Sequence, residues 1–413
     1  MPPVPASMMP PVPASIPATR SSLGPLDRSQ RPVPSSRIAG SMRRARRVAT
    51  TAARASMYPR WPPTRPLVNG YTVLMPVPGD LPVFVDLALA GFGKQDPTGH
   101  VETLVIPDRV TAKFVKAFNR SVSRADWGPT RLVRIGRRGR ALHRFRNGPW
   151  NDDISARALS RAVRTARLNC FLQSYYGVAT TKTTHAILHD ADLFLLDPQF
   201  LAARYHRCSE WGLGWLGVER RLMWNREQQR FEDWYEPDGL GAVLSTWELM
   251  FDVRWLRRFP PWQMHGQSHR FRGAERDFDS MDYVQVRTPP ERRGLWEVPD
   301  DYAHFNWAIS SYRLFQESAG RPFLDERFRI LLIRLLSDAF GHGDESHQLP
   351  SAKELARGIG DGDARVTYRA AGIGENYQEF RHGIGTVIAS PLVEPARAEG
   401  VERALLPFDL AFA

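Results

Sequence analysis

A short apolar run that ends in two carboxylates one residue apart, residues 185–198 (HAILHDADLFLLDP), constrains this chain more than any other stretch. A strand with Ala186 and Leu188 facing one layer carries Asp190 and Asp192 to the rim of a sheet, where α/β folds place their ligand crevice. Carboxylates at that place suit a hard divalent cation, which takes oxygen ligands and is commonly held by one or two protein carboxylates together with phosphate oxygens. An Asp-x-Asp step also occurs in plain turns, so its neighbourhood decides the reading.

That neighbourhood is ordered. Asp197-Pro198 reads as a helix N-cap followed by proline at the first helical position. Upstream, residues 156–175 carry apolar side chains at helical spacing and include Arg164, Arg167 and Asn169. The resulting order is helix, strand, Asp-x-Asp, hydrophobic bridge and helix. In the residues RTARLNCFLQSYYGVATTKTTHAILHDADLFLLDPQFL it resembles the nucleotide-sugar-binding half of GT-A glycosyltransferases, family-2-like enzymes in particular. The resemblance implies an α/β, Rossmann-type, mostly parallel sheet flanked by helices. It also implies a Mn²⁺ or Mg²⁺ ion on Asp190 and Asp192, and donor contacts from Arg167, Asn169 and Asp190.

Charge and cysteine use bound the class. The formal net charge of +12 is concentrated at the start: residues 1–66 hold eleven Arg, no Lys and the single acid Asp27, a net +10. A nearly neutral body does not ask for a specific nucleic-acid partner. Cys170 and Cys208 alone exclude a disulfide framework and a multi-cysteine zinc site, and suit a reducing, cytoplasmic setting. No apolar run reaches the roughly 18–20 residues that cross a bilayer. Residues 1–16 repeat MPPVPAS, and Pro and Ser stay dense to Ser36, so a disordered tail over 1–66 is expected. Its basic stretch 38–56 could touch anionic surfaces.

After the tail, folded sequence is expected from Leu67. Residues 71–77 and 102–108 read as strands and 82–90 as a helix between them, the alternation of a parallel sheet covered by helices. By resemblance, Met75, Pro76 and Asp108 occupy the places that touch the nucleotide base. Asp108 as a helix cap is the plainer alternative. The basic segment 136–148 (GRRGRALHRFRNG) reads as a solvated loop.

From residue 201 to 316 an aromatic-rich acceptor-binding half is expected to follow the nucleotide-sugar half at 67–200. Trp211, Trp215, Trp224, Trp234 and Trp247 suit either a sugar-facing cleft or core packing. Residues 239–259 read as loop, short strand and helix. The family's general base should then lie at the start of a helix within 273–283 (GAERDFDSMDY): Asp279 by preference, with Asp277, Asp282 and Glu275 beside it. His304, after the acidic pair Asp300-Asp301, is the expected third metal ligand by resemblance. Residues 317–413 form a C-terminal extension that the resemblance does not reach.

The expected function is metal-dependent transfer of a sugar from a nucleotide-diphosphate donor to a glycan or small-molecule acceptor hydroxyl, with inversion. Two alternatives stay open. A haloacid-dehalogenase-like phosphatase also ends a strand in Asp-x-Asp, but usually has Thr where Phe194 stands. A catalytically inactive glycosyltransferase-like binding protein would lack a usable base near Asp279. A zinc hydrolase on His185 and His189 fits poorly, because their i, i+4 spacing suits a helix and the local pattern is a strand.

Overall fold

The computed structural model describes residues 61–62, 66–135, 170–220, 222–225, 230–233, 243–264, 267–271, 274–278, 280–298, 301–304, 324–341, 350–351 and 373–412. The chain divides into two units, Met1–Ala53 and Arg54–Ala413, and every described residue belongs to the second.

In chain order the described elements are β1 (Val68–Val77), α1 (Val83–Phe92), β2 (His100–Pro107), α2 (Ala112–Arg124), β3 (Thr130–Leu132), α3 (Cys170–Thr180), β4 (Thr183–Leu188), β5 (Leu193–Leu195) and α4 (Phe200–Glu210). Then come β6 (Trp215–Gly217), β7 (Glu219–Arg220), β8 (Leu222–Asn225), β9 (Arg230–Asp233), β10 (Val243–Leu244), β11 (Met250–Asp252) and α5 (Val253–Leu256). The rest are β12 (Gln267–Phe271), β13 (Ala274–Phe278), α6 (Asp282–Val286), β14 (Arg293–Leu295), β15 (Tyr302–His304), α7 (Leu324–Phe340), α8 (Ile373–Ile388) and α9 (Pro395–Phe412). Among the described residues no helix is long and apolar enough to cross a membrane.

The main sheet has seven strands in the order β14-β6-β11-β4-β1-β2-β3. β4, β1, β2 and β3 run parallel, β11 is antiparallel to both β4 and β6, and β14 is parallel to β6. The expected α/β, mostly parallel sheet is therefore what forms. Its central strands β1, β2 and β4 are buried on both faces, as helix-covered parallel strands should be. On β1 the period of two is legible: Tyr71, Val73, Met75 and Val77 enter one core and Leu74 the other.

The first core contains all of α1's large apolar residues and reaches into the C-terminal helices through Leu331, Leu335, Phe340, Ile384, Leu405 and Phe408. The segment expected to be an extension is thus part of the folding unit, which explains why every residue of α1 is buried: α2, β5 and α7 all pack against it. Ser390 Oγ also donates to Leu196 O at 2.8 Å, tying the α8–α9 turn to the loop after β5. The second core holds Leu104, Ile106, Ala186, Leu188, Trp215 and Phe251.

Two local expectations are corrected. Asp197 does not cap a helix beginning at Pro198; its Oδ1 accepts from Gln199 N at 2.7 Å, an Asx turn, and α4 starts at Phe200. Within 273–283 the helix begins at Asp282 rather than at Asp279-Ser280, and residues 274–278 form strand β13, paired antiparallel with β12.

The fold also begins earlier than Leu67. Trp61 is half-buried, stacks on Tyr175 with centroids 5.4 Å apart, and donates from Nε1 to Phe259 O at 2.7 Å. Trp61→Ala should cost roughly 1–3 kcal/mol, below the usual range for a fully buried Trp. Urea unfolding reads this directly, and an unchanged midpoint would show that the contact contributes nothing.

Candidate metal centre

β4 delivers the acidic step where its side chains can converge. Leu188 N donates to Leu249 O at 2.9 Å, His189 N to Leu74 O at 2.9 Å and Asp190 N to Trp247 O at 3.0 Å. The turn closes with Leu193 N on Asp190 O at 3.1 Å, and β5 begins at once. β5 pairs antiparallel with β15, placing His304 opposite Leu193. A histidine more than a hundred residues downstream is therefore fixed beside Asp192 by backbone ladder.

The ligand-type atoms of Asp190, Asp192 and His304 all lie within 4.8 Å of one another. His304 Nε2 stands 3.6 Å from Asp192 Oδ1 and 3.9 Å from Asp190 Oδ2. Two ligands on one cation at about 2.1 Å are separated by roughly 3–4 Å, so these spacings fit a shared ion. Asp190 is half-exposed and Asp192 buried, so the cluster is a rim site with one open side. Two carboxylates and one imidazole suit Mn²⁺ better than Mg²⁺, since nitrogen donors favour the transition ion.

The His304 ring stacks on Trp247, centroids 4.8 Å apart and planes 25° apart. Trp247 thus fixes the cluster twice, through its carbonyl on Asp190 and its ring on His304. His189 points the other way. It is fully buried against Phe92 at 4.7 Å between centroids, and burial, reinforced by His304, lowers its pKa to about 3. Neutral and inward-facing, it belongs to the core.

Behind the cluster lies a buried ion triad that sequence reasoning missed. Arg204 of α4 donates from Nε to Glu248 Oε2 at 3.1 Å and from Nη1 to Asp301 Oδ2 at 2.8 Å, with both partners closed from solvent. Its guanidinium carbon sits 3.5 Å from the Phe200 ring centroid and 4.3 Å from that of Trp296. Val218 N also donates to Glu248 Oε1 at 2.8 Å, and Trp296 Nε1 to Asp301 Oδ2 at 2.7 Å. Burial pushes Glu248 up to about 7 against the opposing pull of Arg204. Glu248 adjoins Trp247, and Asp301 opens the segment that carries His304, so one guanidinium anchors both supports of the cluster. Only the helical register of Arg204 among apolar residues hinted at it.

The other expected site residues divide. Met75 is completely buried in the core and Pro76 is buried beside it, so a Met75 side-chain contact to a nucleotide base is ruled out in this arrangement. Asp108 is buried and accepts from Gly79 N at 2.7 Å, locking the loop after β1 to the end of β2. That loop admits only glycine at 79, because an added Cβ would lie 1.7 Å from Arg109 O. Gln173, not singled out in the sequence, donates from Nε2 to Val77 O at 3.0 Å and to Ile106 O, bridging the ends of β1 and β2. Arg167, Asn169 and Asp279 lie outside the described residues. Asp277 is on β13 opposite Ser268. Asp282 is closed from solvent in the first turn of α6, after Met281 at φ 70°, so in this arrangement it cannot reach an acceptor.

No family model matches the sequence, and no curated protein matches it. Solved structures with a detectable likeness include S. aureus TarS 1-349 (12% identity, 83% of this chain and 89% of that chain, TM-score 0.34). Another is Mycobacterium tuberculosis glucosyl-3-phosphoglycerate synthase with Mn²⁺, uridine diphosphate and glucosyl-3-phosphoglycerate (10%, 69% and 82%, TM-score 0.32). A third is the galactosyltransferase LgtC with donor and acceptor sugar analogs (11%, 47% and 62%, TM-score 0.28), of whose length this chain spans about three fifths. At TM-scores of 0.28 to 0.34 the likeness carries no inference about activity, which must come from the cluster itself.

Proposed function

We propose that this chain is a metal-dependent glycosyltransferase of the GT-A type, moving a sugar from a nucleoside-diphosphate donor to an acceptor hydroxyl. The observation that carries the reading is the convergence of Asp190, Asp192 and His304 at the C-terminal edge of β4, in a parallel sheet whose crevice lies at that edge. Those three residues would hold Mn²⁺, which when bound neutralises charge developing on a diphosphate leaving group. The residues of the chain do the rest. Gln173 and Asp108 hold the loops after β1 and β2 in place, and Trp247 keeps His304 turned toward the two carboxylates.

In the transfer step a carboxylate takes the proton of the acceptor hydroxyl, its oxygen bonds to the anomeric carbon, and the bond to the diphosphate breaks on the opposite face. Inversion follows from that single displacement. Asp279 remains the preferred base and Asp277 the second choice; the closed position of Asp282 argues against it. Asp279→Asn should lower turnover on the order of 10²-fold while leaving donor affinity unchanged. The test is release of nucleoside diphosphate from a panel of nucleotide sugars with Mn²⁺ and with chelator. Metal-dependent release from at least one donor supports the reading, and release of inorganic phosphate from phosphomonoesters, with no nucleoside diphosphate released from any donor, would favour the phosphatase alternative.

A further inference from the structure

Strand direction separates two rims of the main sheet. β4 runs toward Asp190, whereas β11 runs back from it and ends with Asp252 opposite His185; β6 and β14 both begin at that far end, Arg293 opposite Trp215. Residues 212–214, 252–258 and 287–293 therefore gather at the rim opposite the metal cluster.

That far rim is cationic and aromatic. Arg254, Arg258, Arg287 and Arg292 are exposed, and none forms an ion pair with a described residue. Arg258 and Arg292 engage the Trp255 ring, guanidinium carbons 4.6 and 5.0 Å from its centroid, and Arg292 Nη1 donates to Gly212 O at 3.0 Å. Beside Gly212, Trp211 is 62% exposed with Arg207 4.5 Å from its ring centroid. The patch is rigidly seated: Trp255 Nε1 and buried Trp215 Nε1 both donate to Thr288 Oγ1, at 3.0 and 2.8 Å. The nearby carboxylates do not cancel it. Asp252 accepts from the N–H groups of Arg254 and Trp255 as a helix cap, leaving Glu210 and Glu291 as the exposed acids of this rim among the described residues.

We propose that this far rim docks the protein onto an anionic phospholipid bilayer, with Trp211 at the headgroup level and the four arginines, which form no ion pair with a described residue, over the lipid phosphates. Charge complementarity selects an anionic surface, since each cationic side chain near one adds roughly five-fold in affinity. The indole of Trp211, 62% exposed, selects lipid. Trp prefers the membrane interface, where an apolar ring and a polar N–H are both satisfied. Single-stranded nucleic acid needs several free rings for successive bases, and Trp255 is already engaged by two guanidinium groups. Docking at this edge leaves the metal cluster facing away from the bilayer, and the inference stands independently of what that cluster does.

The test is co-sedimentation of the full chain with vesicles of equal parts phosphatidylserine and phosphatidylcholine, beside pure phosphatidylcholine vesicles and a single-stranded oligothymidylate. The Arg-rich residues 1–66 stay in every variant, so their contribution is common to all. Arg254→Gln/Arg258→Gln/Arg287→Gln/Arg292→Gln should lower partition several-hundred-fold, the product of four such charge contributions of roughly five-fold each. The single Arg254→Gln should give about five-fold by the same rule and guards against misfolding of the quadruple variant. Trp211→Ala should weaken binding several-fold at every salt concentration. Partition unchanged within two-fold in the quadruple and single variants overturns the proposal. So does equal binding to pure phosphatidylcholine, or patch-dependent binding to oligothymidylate that exceeds binding to vesicles.

Discussion

Arg204→Met is expected to destabilise the fold by roughly 3–5 kcal/mol, the cost of leaving a buried charge without its partner. The shape of the pocket survives, because Met fills much of the space between Phe200 and Trp296, so the loss is electrostatic. Glu248 sets its pH dependence. Burial already raises its pKa from 4.5 to about 7 with Arg204 present, and removing the guanidinium raises it further. A carboxyl whose folded pKa lies above its unfolded value binds more protons in the native state between the two values. Native stability from that group is then fully present below about pH 4.5 and lost as pH rises through the folded pKa. The deficit of Arg204→Met should therefore be larger at pH 8 than at pH 5, and Glu248→Gln added to it should recover part of the loss. Urea midpoints at the two pH values check this. A deficit that is small and flat with pH would show that the triad is neutral in energy, and that Trp247 and His304 are held by their own packing.

The second large effect is functional. Asp190→Ala/Asp192→Ala should lower Mn²⁺-dependent nucleoside-diphosphate affinity by more than about 10²-fold, since loss of a mere supporting group to a metal ligand already spans 10–100-fold. The fold should not suffer. Two carboxylates within 4.8 Å of each other repel when no cation lies between them, so the metal-free variant should melt at the same temperature or a few degrees higher. Thermal-shift titrations with nucleoside diphosphate in Mn²⁺ and in chelator separate the two readouts. Retained metal-dependent binding in the double variant would place the ion elsewhere.

What the sequence revealed and what it withheld follow from the range of the interactions. The Asp190–Asp192 step was legible because a strand period and a following turn are local, and α1, β1 and β2 declared themselves by the same short-range patterning. His304 could be reached only through resemblance, because its position is fixed by the β5–β15 ladder, a pairing of three-residue strands with no signal of their own. Arg204 stands in register with the apolar residues of α4, but nothing in one sequence reveals that Arg204, Glu248 and Asp301, far apart along the chain, share a dry pocket. Residues 324–340 read as a helix and the stretch after it as turns and loops, yet apolar residues of both 324–340 and the helix 395–412 complete the core. Asp197 misleads because an acid that suits a helix N-cap suits an Asx turn equally.

The central claim is that Asp190, Asp192 and His304 jointly hold a divalent cation against a nucleoside diphosphate. Anomalous diffraction at the manganese edge, from crystals of the full chain grown with Mn²⁺ and uridine diphosphate, tests it most directly. One strong peak within coordination distance of all three side chains, touching a phosphate oxygen on its open side, is the expected result. No peak there, while nucleotide or metal binds at another place on the molecule, would contradict the account.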